Sequence, residues 1–181
     1  MKVVDLSASE WAQLLKNTPS ATIFHTNEWL AVLERTYGCE IRRLGFLEDG
    51  NLVGGIPVAI KKKFIYRIAG SPAGGMVTPY QGPICRDLSQ YGVIFEAFWR
   101  YAMVTGWDLS RVTPPPYSPL VDWRRTGLGV RCEALQTIHL DLTRARRICS
   151  REWIKTAGTR SGRGRNAARW SKRWARVRLI G

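Results

Sequence analysis

The amino-acid sequence predicts a mixed α/β (α+β) fold in which helices flank a central, largely antiparallel sheet. Three features indicate this fold class. Apolar residues repeat at helical spacing in two N-terminal segments, a tight-turn signal joins two strand-like runs, and a further helix and strand pattern follows. With 181 residues and an apolar fraction of 45%, the chain can bury a sizeable core.

The first helix is predicted from its N-terminal cap. Ser7 and Glu10 have the spacing of a capping box, in which each side chain accepts a hydrogen bond from the other residue's backbone amide. The helix is expected to end before Pro19, and its apolar face consists of Trp11, Leu14 and Leu15.

A second helix is predicted over residues 26–37, after a short extended segment at residues 21–24. Gly38 follows at the position where a left-handed C-terminal cap is expected, because glycine adopts positive φ without a steric penalty. The apolar face of this helix consists of Trp29, Leu30, Leu33 and Tyr37.

The middle of the chain predicts antiparallel strands around a hairpin. Asp49-Gly50 is a strong signal for a two-residue turn, and strands are expected over residues 41–48, 52–60 and 64–68. Pro57 predicts an edge or a bulge, because proline has no amide hydrogen to donate to a ladder. The lysine triplet at residues 61–63 is expected to form a solvated turn, with phosphate binding as the alternative.

The later elements alternate between loop, helix and strand. A glycine- and proline-rich loop over residues 70–83 precedes a helix over residues 91–104. A strand over 107–112, a rigid proline linker at 114–116 and a last strand over 130–142 follow. The helix is expected to direct toward the core Val93, Ile94, Ala97, Phe98 and Tyr101.

The net charge of +14 is concentrated near the C-terminus. Residues 1–142 carry 15 basic and 13 acidic side chains, a net charge of +2, whereas residues 143–181 carry 13 basic and one acidic, a net charge of +12. The tail also lacks a continuous apolar stripe and contains several glycines. The chain is therefore expected to consist of a domain at 1–142 and an irregular basic tail at 143–181.

Other features narrow the class of protein. No run reaches the ~18 apolar residues of a membrane span, and the N-terminus lacks the apolar core of a signal peptide. The four cysteines are far apart and the chain has two histidines, so no metal site is expected. Scattered thiols fit a reducing compartment, and a cytoplasmic location is predicted.

Four segments of the chain, in order, resemble those of one known family. They are PSATIFHTNEWL at 19–30, LVGGIP at 52–57, the loop from SP at 71–72 to TPYQGP at 78–83, and TIHLDL at 137–142. Over residues 8–142 the chain is thereby similar to the N-terminal half of FemAB-like (BioF2-like) acyltransferase domains. These domains belong to the acyl-CoA N-acyltransferase, or GNAT-like, superfamily.

The resemblance implies a GNAT-like half-fold from a transferase that passes an acyl or aminoacyl group to an amine. The amine attacks an ester or thioester carbonyl while backbone amides stabilise the developing oxyanion. The implied donor is acyl-CoA or aminoacyl-tRNA, and the implied acceptor is the amine of a small molecule or a peptidoglycan precursor.

The donor site of such enzymes is expected in their second half, where the phosphates rest on a glycine-rich turn at a helix N-terminus. Residues 70–75 are glycine-rich but do not lead into a helix. No cofactor site and no catalytic residue is therefore assigned to residues 1–142, and a missing second half is the implied partner.

Five residues in these segments are candidates for substrate binding: His25, Trp29, Tyr80, Gln81 and Gly82. Tyr80 and Gln81 belong to the substrate-side loop, and loops on rigid scaffolds often carry function. The His25 imidazole changes charge near neutral pH. Structural alternatives stay open: capping or packing for His25, a core position for Trp29, and coverage of the sheet for Tyr80.

The tail departs from the family pattern, in which a basic motif of the type R-N-x-I-R-K-x-E-K-R-G follows the first half. Degenerate codons for residues 148–167 permit a shifted frame that reads MFARMDKDCRNQIRKGEKRG, which is similar to that motif. This match suggests a frameshift in the segment at residues 142–148, which the underlying DNA sequence would reveal.

Two alternative functions follow from the same residues. In the first, the chain is a basic nucleic-acid-binding protein whose tail cations hold phosphates while Trp153, Trp170 and Trp174 stack on bases. Such a tail is expected to bind nucleic acid nonspecifically in any case. In the second, the chain is an interaction module that has kept the fold without the chemistry.

Overall fold

A computed structural model describes residues 1–119 of the protein. The predicted strand over 130–142 and the basic tail at 143–181 lie outside these residues, so both stay predictions. The described helices are α1 (Ala8–Lys16), α2 (Asn27–Tyr37) and α3 (Tyr91–Val104). The described strands are β1 (Lys2–Asp5), β2 (Glu40–Glu48), β3 (Asn51–Lys63), β4 (Tyr66–Ser71), β5 (Ile84–Cys85) and β6 (Leu109–Val112).

The strands form one mixed sheet with the order β1-β2-β3-β4-β6, and β5 pairs separately with β3. Every neighbouring pair is antiparallel except β4 and β6, which run parallel. Two neighbouring parallel strands require a crossover connection, and α3 lies in the connection between β4 and β6. The predicted fold class, a largely antiparallel mixed sheet with helices, is confirmed.

The helix caps follow the sequence signals. Ser7 donates its backbone amide to Glu10 Oε2 at 2.8 Å, and Glu10 donates its amide to Ser7 Oγ at 3.2 Å, which completes the capping box of α1. Thr26 caps α2, and Gly38 ends that helix with φ of 57°. The extended segment predicted at residues 21–24 is wrong in part, because Ile23–His25 forms a turn of 3₁₀ helix.

The β2–β3 hairpin has the predicted turn, with φ of 48° at Asp49 and 81° at Gly50. Pro57 pairs with Arg43 of β2 on one side. On the other side of β3, within residues 1–119, the pairing with β5 stops at Gly55 and the pairing with β4 begins at Ala59. Pro57 thus lies at a local edge of the ladder. No neighbouring strand in the described part of the chain requires a hydrogen bond from its backbone nitrogen there, so the missing amide hydrogen costs nothing.

The second hairpin differs from the prediction. Lys61, Lys62 and Lys63 end β3 and pair with β4, so the predicted turn at these residues is wrong, whereas Lys62 and Lys63 are exposed to solvent as expected. The turn is formed instead by Phe64 and Ile65, which the sequence pattern had placed inside a strand. Cross-strand pairing of the long β3 with β4 outweighs the local pattern.

Helices cover both faces of the sheet. Trp11 and Leu14 of α1 pack with Leu30 and Leu33 of α2, and a Cβ on Gly55 of β3 would lie 2.6 Å from the Trp11 ring. On the opposite face, the core between α3 and the sheet contains Leu44, Phe46, Ile56, Val58, Ile60, Ile94, Phe95, Phe98 and Trp99. Side chains alternate between the two faces along each strand, which separates these cores.

Helix α3 has the predicted bounds, and Ile94 and Phe98 are buried as predicted, with Ala97 and Tyr101 packed against the same core. Val93 was expected to point inward and is exposed, whereas Phe95 and Trp99 are buried. The 14 residues of α3 make it the longest described helix. Within residues 1–119, no helix combines the length and the hydropathy needed to traverse a lipid bilayer.

Candidate functional site

The structure brings the two predicted groups of site residues together. His25 ends the 3₁₀ turn just before α2, Trp29 lies in the first turn of α2, and Tyr80, Gln81 and Gly82 lie on the loop between β4 and β5. Hydrogen bonds and ring contacts join these two segments, which we call the junction. Whether its residues bind a substrate stays a prediction.

His25 is fully buried at the centre of the junction. Its Nδ1 accepts a hydrogen bond from the backbone amide of Thr22 at 3.1 Å, so the ring proton resides on Nε2. Nε2 in turn donates to the carbonyl oxygen of Gln81 at 3.1 Å. Burial lowers the pKa of His25 from 6.5 to about 4, and the ring is neutral at pH 7 with both nitrogens engaged.

Gln81 joins three segments of the chain and is almost completely buried. Its side-chain amide donates to the carbonyl oxygen of Phe24 at 2.6 Å, and its backbone amide donates to the carbonyl oxygen of Thr113 at 3.0 Å. Its own carbonyl accepts the bond from His25. These three hydrogen bonds hold the loop against the segment before α2 and the segment after β6.

Trp29 forms the aromatic side of the junction. Its indole nitrogen donates to Thr78 Oγ1 at 2.9 Å, while its ring meets the ring of Phe24 edge-on with a centroid separation of 5.2 Å. Phe24 also meets Tyr80 edge-on at 5.1 Å. The three partly buried rings therefore form one aromatic wall that still reaches solvent.

The backbone conformation and the close packing at position 82 require glycine. Its φ is +70°, and a Cβ added there would lie 2.8 Å from the Cα of Pro114. Its amide donates to Ser71 Oγ at 3.1 Å. Gly82 therefore allows the loop to pass close to the segment after β6, and this packing accounts for the residue.

A small cavity of about 190 Å³ lies between the same loop and the end of β6. Most of the surface that lines the cavity is polar. The guanidinium of Arg111 forms one side, beside Gly74. The volume is below the ~300–1,000 Å³ that encloses a whole drug-sized ligand, so the cavity fits one small group of a larger molecule. The lining residues are Pro72, Ala73, Gly74, Gly75, Met76, Val77, Thr78, Pro79, Arg111 and Thr113.

Sequence patterns did not mark Arg111, Thr113 or Thr78 as candidate site residues, although all three line the cavity. Arg111 lies in a short strand whose neighbours Ser110 and Val112 are buried, and nothing in the local pattern distinguishes it from a solvated strand residue. Its proximity to the loop arises from the parallel pairing of Gly70 in β4 with Arg111 in β6. That pairing joins positions 41 residues apart, which no local signal reveals.

Other reactive side chains lie away from the junction. The thiols of Cys39 and Cys85 are buried and unpaired by disulfides, and burial raises the pKa of Cys85 to about 11. Both are therefore poor nucleophiles at neutral pH. No cluster of three or more potential metal ligands occurs within residues 1–119.

Together the fold and the junction define a mixed α+β lobe in which Thr78 both accepts the bond from Trp29 and lines a small polar cavity. Among solved structures, the chain has a distant likeness to one described as "Crystal structure of FemX", with 17% sequence identity and a TM-score of 0.48. The likeness covers 75% of this chain and 34% of the FemX chain, so this protein spans about a third of that structure. At this level the likeness concerns the fold alone and does not define an activity.

No family model matches the chain, and no curated protein is significantly similar to it.

Proposed function

We propose that residues 1–142 form the acceptor-binding lobe of a transferase that passes an acyl or aminoacyl group to an amine. The donor, acyl-CoA or aminoacyl-tRNA, binds to a second lobe outside residues 1–142. The acceptor is the amine of a small molecule or a peptidoglycan precursor, and the reaction takes place in the cytoplasm. This proposal rests on the sequence resemblance together with the geometry of the junction.

The observation that carries the proposal is the meeting of two family-like segments that are about 50 residues apart in sequence. The indole of Trp29 bonds Thr78 at 2.9 Å, and the amide of Gln81 bonds Phe24 at 2.6 Å. Thr78, which accepts the bond from Trp29, also lines the cavity that the cationic side chain of Arg111 borders. Rigid positioning of an acceptor is what acyl transfer to an amine chiefly requires.

The roles of individual residues follow from their chemistry. In this proposal Arg111, which lines the cavity, contacts an anionic group of the acceptor, a carboxylate or a phosphate, because a planar guanidinium matches either one. Trp29 and Tyr80 supply the apolar face against which the acceptor lies. His25 is a positioning residue and not the base, since its ring is buried, neutral and hydrogen-bonded at both nitrogens.

The transfer step forms one bond and breaks one. The neutral amine nitrogen attacks the carbonyl carbon of the donor, a nitrogen–carbon bond forms, and the bond from carbon to the thioester sulfur or ester oxygen breaks. The proton lost by the amine passes to the leaving sulfur or oxygen. The second lobe supplies the donor and the groups that stabilise the oxyanion.

This proposal can be tested by isothermal titration calorimetry of the full chain. The titrant is a peptidoglycan-precursor pentapeptide that carries a free lysine amine. We expect saturable binding that weakens at least about tenfold in Arg111→Gln and less in Arg111→Lys, which keeps the charge but not the fork. The same titration with acetyl-CoA is expected to give no saturable heat. Absence of binding by amine-bearing peptides, or equal binding by Arg111→Gln, would rule the proposal out.

A further inference from the structure

The tip of the β3–β4 hairpin exposes consecutive large apolar side chains. Phe64 is 92% exposed, Ile65 is 85% exposed and Tyr66 is 53% exposed. Phe64 and Ile65 have the highest exposed fractions of the large hydrophobic residues within residues 1–119. Single exposed apolar residues are ordinary on a protein surface, but three adjacent ones at the end of a projecting hairpin form a localised apolar tip.

The backbone of this tip is strained. Phe64 has φ of +56° at the first position of a two-residue turn, between the paired residues Lys63 and Tyr66. Turns with positive φ at that position normally carry glycine, asparagine or aspartate, as at Asp49 of the first hairpin, because a larger side chain crowds the backbone there. A bulky aromatic residue thus occupies the position where glycine would be more stable. Departures from local sequence rules of this kind are concentrated at functional sites.

Basic residues flank the tip. Lys61, Lys62 and Lys63 end β3, and Lys62 is paired directly opposite Arg67 of β4. Like charges facing each other across a ladder destabilise a hairpin, so this pair lowers the stability of the fold. One carboxylate lies close by, since the backbone amide of Arg67 donates to Asp108 Oδ2 at 2.7 Å. Lys61 is also engaged, with its Nζ 4.6 Å from the centre of the Tyr37 ring.

We propose that this hairpin tip docks the protein onto anionic lipid bilayers. Phe64 and Ile65 enter the boundary between headgroups and acyl chains, and Tyr66 lies at the level of the headgroups with its hydroxyl in water. The exposed Lys62 and Lys63 then contact the lipid phosphates, which relieves the repulsion between Lys62 and the facing Arg67. The inference does not depend on the proposed acyl transfer.

The chemistry of the tip favours a bilayer over the other anionic surfaces. A nucleic acid would be contacted through stacking on flat rings, but Ile65, at the centre of the tip, has no flat face to offer a base. A bilayer accepts aliphatic and aromatic side chains equally well and places a layer of phosphates just above them. The tip has apolar residues at its end and cations behind them along the hairpin, and this order matches the layers of a bilayer.

Sedimentation of the full chain with lipid vesicles tests the proposal. The vesicles are made of phosphatidylcholine with and without phosphatidylglycerol. Because the basic tail is expected to bind anionic vesicles by itself, the informative comparison is between variants of equal charge. The test variant is Phe64→Ser/Ile65→Ser, and the matched control is Met103→Ser/Val104→Ser, whose side chains are 67% and 81% exposed on α3.

We expect the hairpin variant to lose at least about tenfold in partition to anionic vesicles, while the control variant keeps the wild-type value. The ratio between wild type and hairpin variant should persist in high salt, which weakens the contribution of the tail. In Lys62→Gln/Lys63→Gln, binding is expected to fall with phosphatidylglycerol present. Thermal melting of each variant verifies that the fold is intact.

Two outcomes would overturn the docking proposal. The first is equal partition of wild type and hairpin variant, which would assign all vesicle binding to the tail. The second is a hairpin variant that keeps its affinity for vesicles but loses affinity for single-stranded RNA, which would make the tip a nucleic-acid contact.

Discussion

Protonation of His25 is expected to destabilise the protein between pH 6.5 and pH 4. The ring is buried with both nitrogens engaged, and burial lowers its pKa from 6.5 to about 4 in the folded state. A proton therefore binds the unfolded chain more tightly than the folded one. The stability that neutral His25 contributes is fully present above pH 6.5 and is lost progressively as the pH falls toward 4.

The size of this effect follows from the two pKa values. They differ by roughly 2.5 units, and each unit corresponds to about 1.4 kcal/mol, so the loss is on the order of 3 kcal/mol. That is a large share of the ~5–15 kcal/mol by which domains of this kind are stable. The cause is burial: the enclosed site removes the water that would solvate the charged ring, so the protonated form is disfavoured in the folded state.

Urea denaturation at a series of pH values, followed by tryptophan fluorescence, measures this loss. His25→Gln retains a side chain that can donate to Gln81 but does not titrate, and His139→Gln is the matched control at the other histidine. We expect the free energy of unfolding of wild type and His139→Gln to fall by about 3 kcal/mol more than that of His25→Gln between pH 6.5 and 4. Parallel curves for all three proteins would refute the assignment of His25 as a neutral buried group.

Three further predictions concern stability. Gly82→Ala is expected to cost more than about 1 kcal/mol, and Gly106→Ala less, because both have positive φ but only at Gly82 would the new Cβ meet other atoms; urea denaturation compares the two. Ser7→Ala should lower the unfolding free energy by about 1 kcal/mol through loss of the α1 cap, and an unchanged midpoint would contradict that role. A double-mutant cycle of Trp29→Phe and Thr78→Val should give a coupling energy of about 1 kcal/mol for their hydrogen bond, whereas purely additive effects would mean that the bond contributes nothing.

Local signals predicted the elements whose boundaries depend on residues close in sequence. The capping box, the Asp49-Gly50 turn and the glycine after α2 each formed where expected, because each rests on contacts within a few residues. The bounds of α3 were also correct. Its inward face was predicted less well, since periodicity alone did not identify Phe95 and Trp99 as the side chains that meet the sheet.

The candidate site could be predicted only as two separate segments. The sequence resemblance singled out the start of α2 and the loop at residues 78–83, and the structure places these in contact. The bonds that join them link residues 49 to 57 positions apart, such as Trp29 with Thr78 and Phe24 with Gln81. Arg111 lines the cavity because β6 pairs with β4, and no signal near Arg111 in the sequence reveals this pairing.

The sequence by itself determined the helix caps, the first hairpin and the mixed α+β class, because these follow from short-range sterics and the periodicity of apolar residues. Only the tertiary structure decided that His25 is neutral and enclosed, that Arg111 lies beside the glycine-rich loop, and that Phe64 and Ile65 project into solvent. Burial and long-range strand pairing depend on the whole packed lobe, and no window of neighbouring residues contains that information.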